Sequence, residues 1–209
     1  GVEALSKIAV DLKVSIPVGK DSLSMRTKWS ENNSDYEVSS PLSGVITAMA
    51  PVDDVTESVT PELNTSDDTS ILLIKLNNKN RLAGSIFSEI TETKYQHTPD
   101  IDDIEVFKKL FSGIQNLLKS KKILAMHDIS DGGLITTLLE MCFTKKVGMR
   151  MDLDDSSGVN EFLFSEEIGF AIQIKKNNLD EITNTLTNEN IYVKNIAEII
   201  DGEQFSIFK

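Results

Sequence analysis

The run Ser70-Ile71-Leu72-Leu73-Ile74-Lys75-Leu76 is nearly all apolar, and its reading decides the fold class. A strand wetted on one side alternates polar and apolar residues, whereas an unbroken apolar run is the signature of a strand buried on both faces. Such a strand needs helices on either side of its sheet, and the downstream sequence supplies them. Ile104, Phe107, Leu110, Phe111, Ile114, Leu117 and Leu118 recur at helical spacing, and the basic turn Lys119 to Lys122 complements that helix's dipole. The pattern then predicts a strand at 123–126, a helix at 132–143 opened by a Ser130-Asp131 cap, and a strand at 170–174. A helix at 179–186 and a closing pair of strands, 191–200 and 204–208, complete it. The fold class is α+β, with helices covering a mixed sheet.

Working upstream, residues 53–68 shift to Thr, Ser, Asp, Glu and Pro, which places a domain boundary near Ser66: domain 1–65 and domain 66–209. Within 1–65 the periodicity predicts an amphipathic helix at 2–13 and strands at 14–18 and 23–29. A polar turn follows at Asn32-Asn33-Ser34-Asp35, then a β-rich stretch at 42–50. The first helix begins at Gly1-Val2 with no capping side chain, so it reads as cut from a longer chain.

Composition bounds the chemistry. With 209 residues, 40% of them hydrophobic and 26% charged, the chain can bury a real core. A net charge of -12 argues against a phosphate-backbone binder, so no nucleic-acid partner is expected. It permits a single nucleotide, because a metal ion offsets phosphates beside carboxylates. Cys142 is the sole cysteine, so no intrachain disulfide forms, which suits a reducing cytosol. No apolar run is long enough to span a bilayer, so no membrane partner is expected.

Two stretches carry chemistry. In His127-Asp128-Ile129-Ser130-Asp131-Gly132-Gly133-Leu134 a strand end gives carboxylates suited to Mg²⁺, a hydroxyl, and two glycines whose N–H groups could approach a phosphate. An ordinary strand-to-helix turn explains the same string. Gly19-Lys20-Asp21-Ser22 offers Lys for phosphate, Asp for metal and Ser for hydrogen bonding, without the spacing of a Walker A loop; a polar hairpin is the alternative. Asn80 to Ser85 reads as a tight turn into a helix. Glu166 and Glu167 read equally well as solvated helix-end glutamates, and Cys142 as a core residue.

In their order and spacing, Gly19 to Met25, Asn80 to Ser85, His127 to Leu134 and Phe164 to Gly169 make the chain resemble the long-form phosphoribosylformylglycinamidine synthases over essentially its whole length. The resemblance implies the aminoimidazole ribonucleotide synthase-like superfamily. It identifies 1–65 as the later part of the second A-type domain and 66–209 as the second B-type domain of the synthetase region. The family joins formylglycinamide ribonucleotide to ammonia drawn from glutamine, using ATP with Mg²⁺ in the cytoplasm. It phosphorylates the amide oxygen before ammonia displaces phosphate.

Residue by residue, the resemblance implies that Gly19 and Ser130 contact nucleotide, Ser22 contacts substrate and Asp128 ligates Mg²⁺. The loop of Gly19 and Ser22 matches the catalytic cleft, whereas Asp128 and Ser130 match the second of two related clefts, which is expected to hold a nucleotide that is not turned over. At the position of Lys20 shorter relatives carry a metal-ligating Asn. A protonated lysine has no lone pair for a metal, so Lys20 is expected to act catalytically as a fixed charge beside the phosphates, oriented by Asp21. Ala83-Gly84 and Ser165 depart from the family's Gly-Gly and Asn, and no site is assigned there. With no glutaminase nucleophile in evidence, the chain alone is expected to be inactive, its partners being the remaining synthetase and glutaminase domains. The alternatives are another ATP-dependent ligase or kinase of the superfamily, or a non-catalytic nucleotide-binding module.

Overall fold

The computed structural model describes residues 1–20, 25–41, 43–66, 68–153 and 158–208. The chain divides into a first unit, Gly1–Asp53, and a second, Asp54–Lys209.

In the first unit the amphipathic repeat forms α1 (Val2–Leu12), which ends where Lys13 turns left-handed and donates its N–H to Ala9 and Val10 carbonyls. Strands β1 (Arg26–Glu31) and β2 (Ser34–Ser39) form an antiparallel hairpin. Its two-residue loop, Asn32-Asn33, has φ of 51° and 60°, the left-handed pair that a tight hairpin requires and asparagine tolerates. Trp29 and Tyr36 lie opposite one another and stack at 5.2 Å. The strands expected at 14–18 and 42–50 do not form among the described residues, where the backbone is irregular. A β-rich run becomes a strand only when a neighbour completes its ladder. No described residue of this unit is buried.

The second unit is built around β3 (Thr69–Lys75), whose seven residues are all buried. It pairs antiparallel with β6 (Gly169–Lys175) on one side and β7 (Tyr192–Ile200) on the other. With β4 (Ile123–Asp128), β5 (Gly148–Asp152) and β8 (Phe205–Phe208) these form a six-stranded sheet ordered β4-β6-β3-β7-β5-β8. Side chains alternate across the pleat. Ile71 and Leu73 pack with Leu134, Leu138 and Met141 of α4 (Gly133–Phe143) and Phe162 and Leu163 of α5 (Val159–Phe164). Leu72 and Ile74 pack with Leu110, Ile114 and Leu117 of α3 (Ile104–Lys119) and Ile182 and Leu186 of α6 (Leu179–Thr187). The sheet is thus covered by helices on both faces, the expected α+β fold.

Two expectations change. The last strands do not pair with each other: β5 lies between β7 and β8, antiparallel to the first and parallel to the second. That strand was not expected; its buried Met149 and Met151 alternate with exposed Arg150 and Asp152, a signal only five residues long. The division between units also falls upstream of residue 65, because 54–65 has partners in the second unit. Leu63 is 0% exposed in the core, and the Thr60 carbonyl accepts from the Met126 N–H. Asn64 exchanges two 2.7 Å hydrogen bonds with the buried amide of Gln173.

Candidate functional site

Antiparallel pairing of β6 with both β3 and β4 gathers three segments at one end of the sheet: the loop leaving β3, the loop leaving β4 and the segment entering β6. The β4 loop holds the expected Asp128 and Ser130, both exposed, with the Asp128 side chain 67% accessible. Thr137 Oγ1 donates to the Asp128 carbonyl at 3.1 Å, pinning the strand end to the first turns of α4. His127 Nδ1 lies 2.9 Å from the Asp128 carbonyl and 3.3 Å from its carboxylate, while Nε2 lies 3.0 Å from Glu140. A neutral imidazole has one N–H and can donate to only one of these sides.

The expected Ser-Asp cap is not what opens α4. Its N-cap is Gly132, with φ of 87° and no capping side chain of its own. The Gly132 N–H instead donates to Glu166 Oε1 at 2.9 Å, and the Gly133 N–H to the Ser130 carbonyl at 3.0 Å. The two glycine donors that the sequence offered to a phosphate are therefore already engaged. Packing accounts for the glycines: a Cβ on Gly132 would come within 2.3 Å of Thr136 Oγ1, and one on Gly133 within 2.6 Å of the Phe164 backbone.

What the loop leaves for a ligand is the Asp128 carboxylate, the Ser130 hydroxyl and the neighbouring Asp131. No group of three or more His, Cys, Asp or Glu able to hold a metal occurs among the described residues. The donor set still fits Mg²⁺ arriving with a nucleotide, because that ion commonly takes one or two carboxylates and completes its shell with phosphate oxygens and water.

The acids before β6 are not solvated helix-end glutamates. Glu167 has a side chain 2% exposed and holds Arg81, itself 13% exposed, through Nε at 2.5 Å and Nη2 at 2.7 Å. The Glu167 hydrogen bond raises the guanidinium pKa further, and Asp102 accepts from the same Arg81 at 3.1 and 3.2 Å. The Asp102 carboxyl is held below its ordinary value, first by Lys79 and then by Arg81. Beside this pair the Lys75 ammonium is buried. It donates to the Lys79 carbonyl and Asn80 Oδ1, both at 2.6 Å, and burial lowers its pKa to about 8. Glu166 Oε1 accepts from the Ile86 N–H at 3.0 Å as well as from Gly132. Ile86 opens α2 (Ile86–Ile90), capped by Ser85 as the expected tight turn requires.

Gly19 and Lys20 lie exposed in the irregular segment after α1, in the first unit. Asp21 and Ser22 lie outside the described residues. A hollow of about 520 Å³ beside α2 is lined by Ala83, Gly84, Ser88, Glu89 and Tyr95. A larger one, about 630 Å³, involves Thr69, Lys146 and Lys176 at the opposite end of β3 and is remote from these loops.

Residues 68–209 match the family described as AIR synthase related protein, C-terminal domain, and residues 1–51 match the FGAR-AT PurM_N-like domain. The fold is similar to PurL of Thermotoga maritima solved with ATP (TM-score 0.59, 14% identity, 74% of this chain and 25% of that one). It is equally similar to the same protein solved with FGAR (TM-score 0.59, 13% identity, 74% and 27%). A third structure, phosphoribosylformylglycinamidine synthase II from Thermotoga maritima, gives TM-score 0.57 at 15% identity, covering 72% and 25%. The chain spans about a quarter of the length of these proteins. With a doubly covered sheet, the Asp128 loop at its end and a match over most of its length, the chain belongs to the AIR synthase related protein family, as its C-terminal domain.

Proposed function

We propose that the chain is part of the synthetase region of a cytosolic, glutamine-dependent phosphoribosylformylglycinamidine synthase. In this reading the first unit is the end of the second A-type domain and the second unit the second B-type domain. The observation that carries it is the succession, in one chain, of an FGAR-AT PurM_N-like stretch and an AIR synthase C-terminal domain. The similar PurL structures are complexes with ATP and with FGAR, and this chain's loops carry side chains suited to both.

In the intact enzyme Asp128 would hold Mg²⁺, whose charge offsets that of the phosphates. Ser130 would donate its hydroxyl to a phosphate oxygen, Gly19 would lie against the nucleotide and Ser22 against the ribonucleotide. Lys20 supplies a positive charge that needs no metal to form and stabilises the negative charge building on the transferred phosphoryl group. Ammonia must come from elsewhere. The sole thiol, Cys142, is buried in the α4 core and burial raises its pKa to about 11, so it is no glutaminase nucleophile. The isolated chain should therefore neither hydrolyse glutamine nor consume ATP with formylglycinamide ribonucleotide.

Lys20→Ala in the full-length enzyme tests the reading. Synthase turnover should fall by roughly 10²-fold, the scale seen when one preorganised charge-stabilising donor is removed, while glutamine hydrolysis measured alone is spared. Near-normal turnover at saturating substrates would remove Lys20 from the mechanism. ATP consumption by the purified 209-residue chain would overturn its assignment as one part of a larger enzyme.

A further inference from the structure

Four consecutive residues, from the last of α5 towards β6, bind the loops that follow β3 and β4. Phe164 stacks on Phe87 with ring centroids 4.5 Å apart, and its backbone fills the space left by the missing Cβ of Gly133. Ser165 Oγ donates to the Arg81 carbonyl at 3.1 Å. Glu166 accepts from the Gly132 and Ile86 N–H groups through a single oxygen. Glu167 holds the Arg81 side chain and accepts from its N–H at 3.2 Å. All four hold the 81–87 loop, but only Phe164 and Glu166 also reach the loop of Asp128 and Ser130. Glu166 alone does so by hydrogen bonds, at 2.9 and 3.0 Å.

We propose that Glu166 is the positioning residue of the candidate nucleotide loop, joining residues 128–133 to residues 81–87 so that the two segments open and close together. One carboxylate oxygen satisfies a backbone donor at the start of each of two helices, so any movement or loss of Glu166 leaves both donors unpaired at once. A phosphate-bearing ligand seated on Asp128 and Ser130 then also orders α2 and the hollow beside it. That consequence rests on the nucleotide reading above; the mechanical joining of the two segments does not.

Hydrogen exchange on the whole chain, with and without ADP and Mg²⁺, separates the two. Glu166→Ala should speed exchange of the Gly132 and Ile86 amides together by about tenfold, the weight of one such hydrogen bond, with β3 unchanged as the internal control. Glu166→Gln should stay near wild type, because its amide oxygen accepts the same two donors. Should the alanine variant fail to fold, Glu166→Asp, too short to span both donors, should show the paired rise in milder form. Exchange rising in only one segment, or a glutamine variant behaving like alanine, overturns the proposal. ADP with Mg²⁺ should slow both segments in wild type and only residues 128–133 in Glu166→Ala. If it slows neither in wild type, the nucleotide reading fails, while the variants still decide the joining.

Discussion

The two units use similar residues to different ends. The first holds Val10, Val14, Ile16, Val18, Val45 and Ile46, as apolar as the residues of any core, and all are exposed. The second places comparable residues on β3 and buries every one. The difference lies in partners rather than composition. β3 has a strand on each side and helices on both faces, whereas the first unit has one helix and one hairpin among its described residues. A hydrophobic residue stabilises a fold only when something covers it.

The sharpest way to break this comparison is to remove the segment that the composition shift assigned to the first unit. Residues 54–209 should unfold in one cooperative transition close to that of the whole chain. Residues 66–209 should be much weaker, since deleting Leu63 opens a core cavity worth about 2–5 kcal/mol. The Gln173 amide would also lose partners worth about 1–3 kcal/mol. Paired denaturant melts decide it, with Val10→Ala as the control, expected within about 0.5 kcal/mol of wild type. Equal stability of the two truncations would mean that 54–65 is not part of the second unit's core.

The next effect contrasts two ion pairs. Glu167→Ala removes the buried partner of the half-buried Arg81 and should cost about 3 kcal/mol, softened because Asp102 still accepts from the same guanidinium. Asp11→Ala breaks the exposed Lys7–Asp11 pair of the first unit and should cost under about 1 kcal/mol. Comparable losses in thermal melts would show that burial does not set the strength of these pairs.

The smallest effect is a pH dependence confined to the second unit. The ammonium of Lys75 titrates at about 8 in the fold against an ordinary 10.5. Below about 8 both folded and unfolded chains carry the charge, and its burial weakens the fold. As pH rises towards 10.5 the folded chain sheds the proton while the unfolded chain keeps it, so stability rises. The span corresponds to roughly 3 kcal/mol at most. The wild-type stability minus that of Lys75→Met should climb through this window; a flat difference would show that Lys75 is not the titrating group.

Much of the second unit was legible because its elements announce themselves locally. The spacing of Leu110, Ile114 and Leu117 marks α3 and the unbroken run from Ile71 to Ile74 marks β3, since one face or both must be apolar for these elements to pack. The strand-loop-helix string around Asp128 was equally plain. Arg81 and Glu167 were not, being 86 positions apart in sequence, and nothing local marks one as the other's partner. Nor was it visible that Glu166 takes the Gly132 N–H, which turns a loop that reads as a phosphate cradle into one whose glycine donors are already occupied.

Local pattern is enough to read the kind of each long element, the presence of a strand buried on both faces and the carboxylate and hydroxyl of the β4 loop. Long-range packing sets the place of β5 between β7 and β8, the contacts of residues 54–65 within the second unit, and the two hydrogen bonds that Glu166 accepts from separate loops. The physical reason is the range of the forces. Periodicity records which face of a single element meets apolar surroundings, whereas strand order and hydrogen-bond partners depend on which distant segment arrives to fill the vacancy.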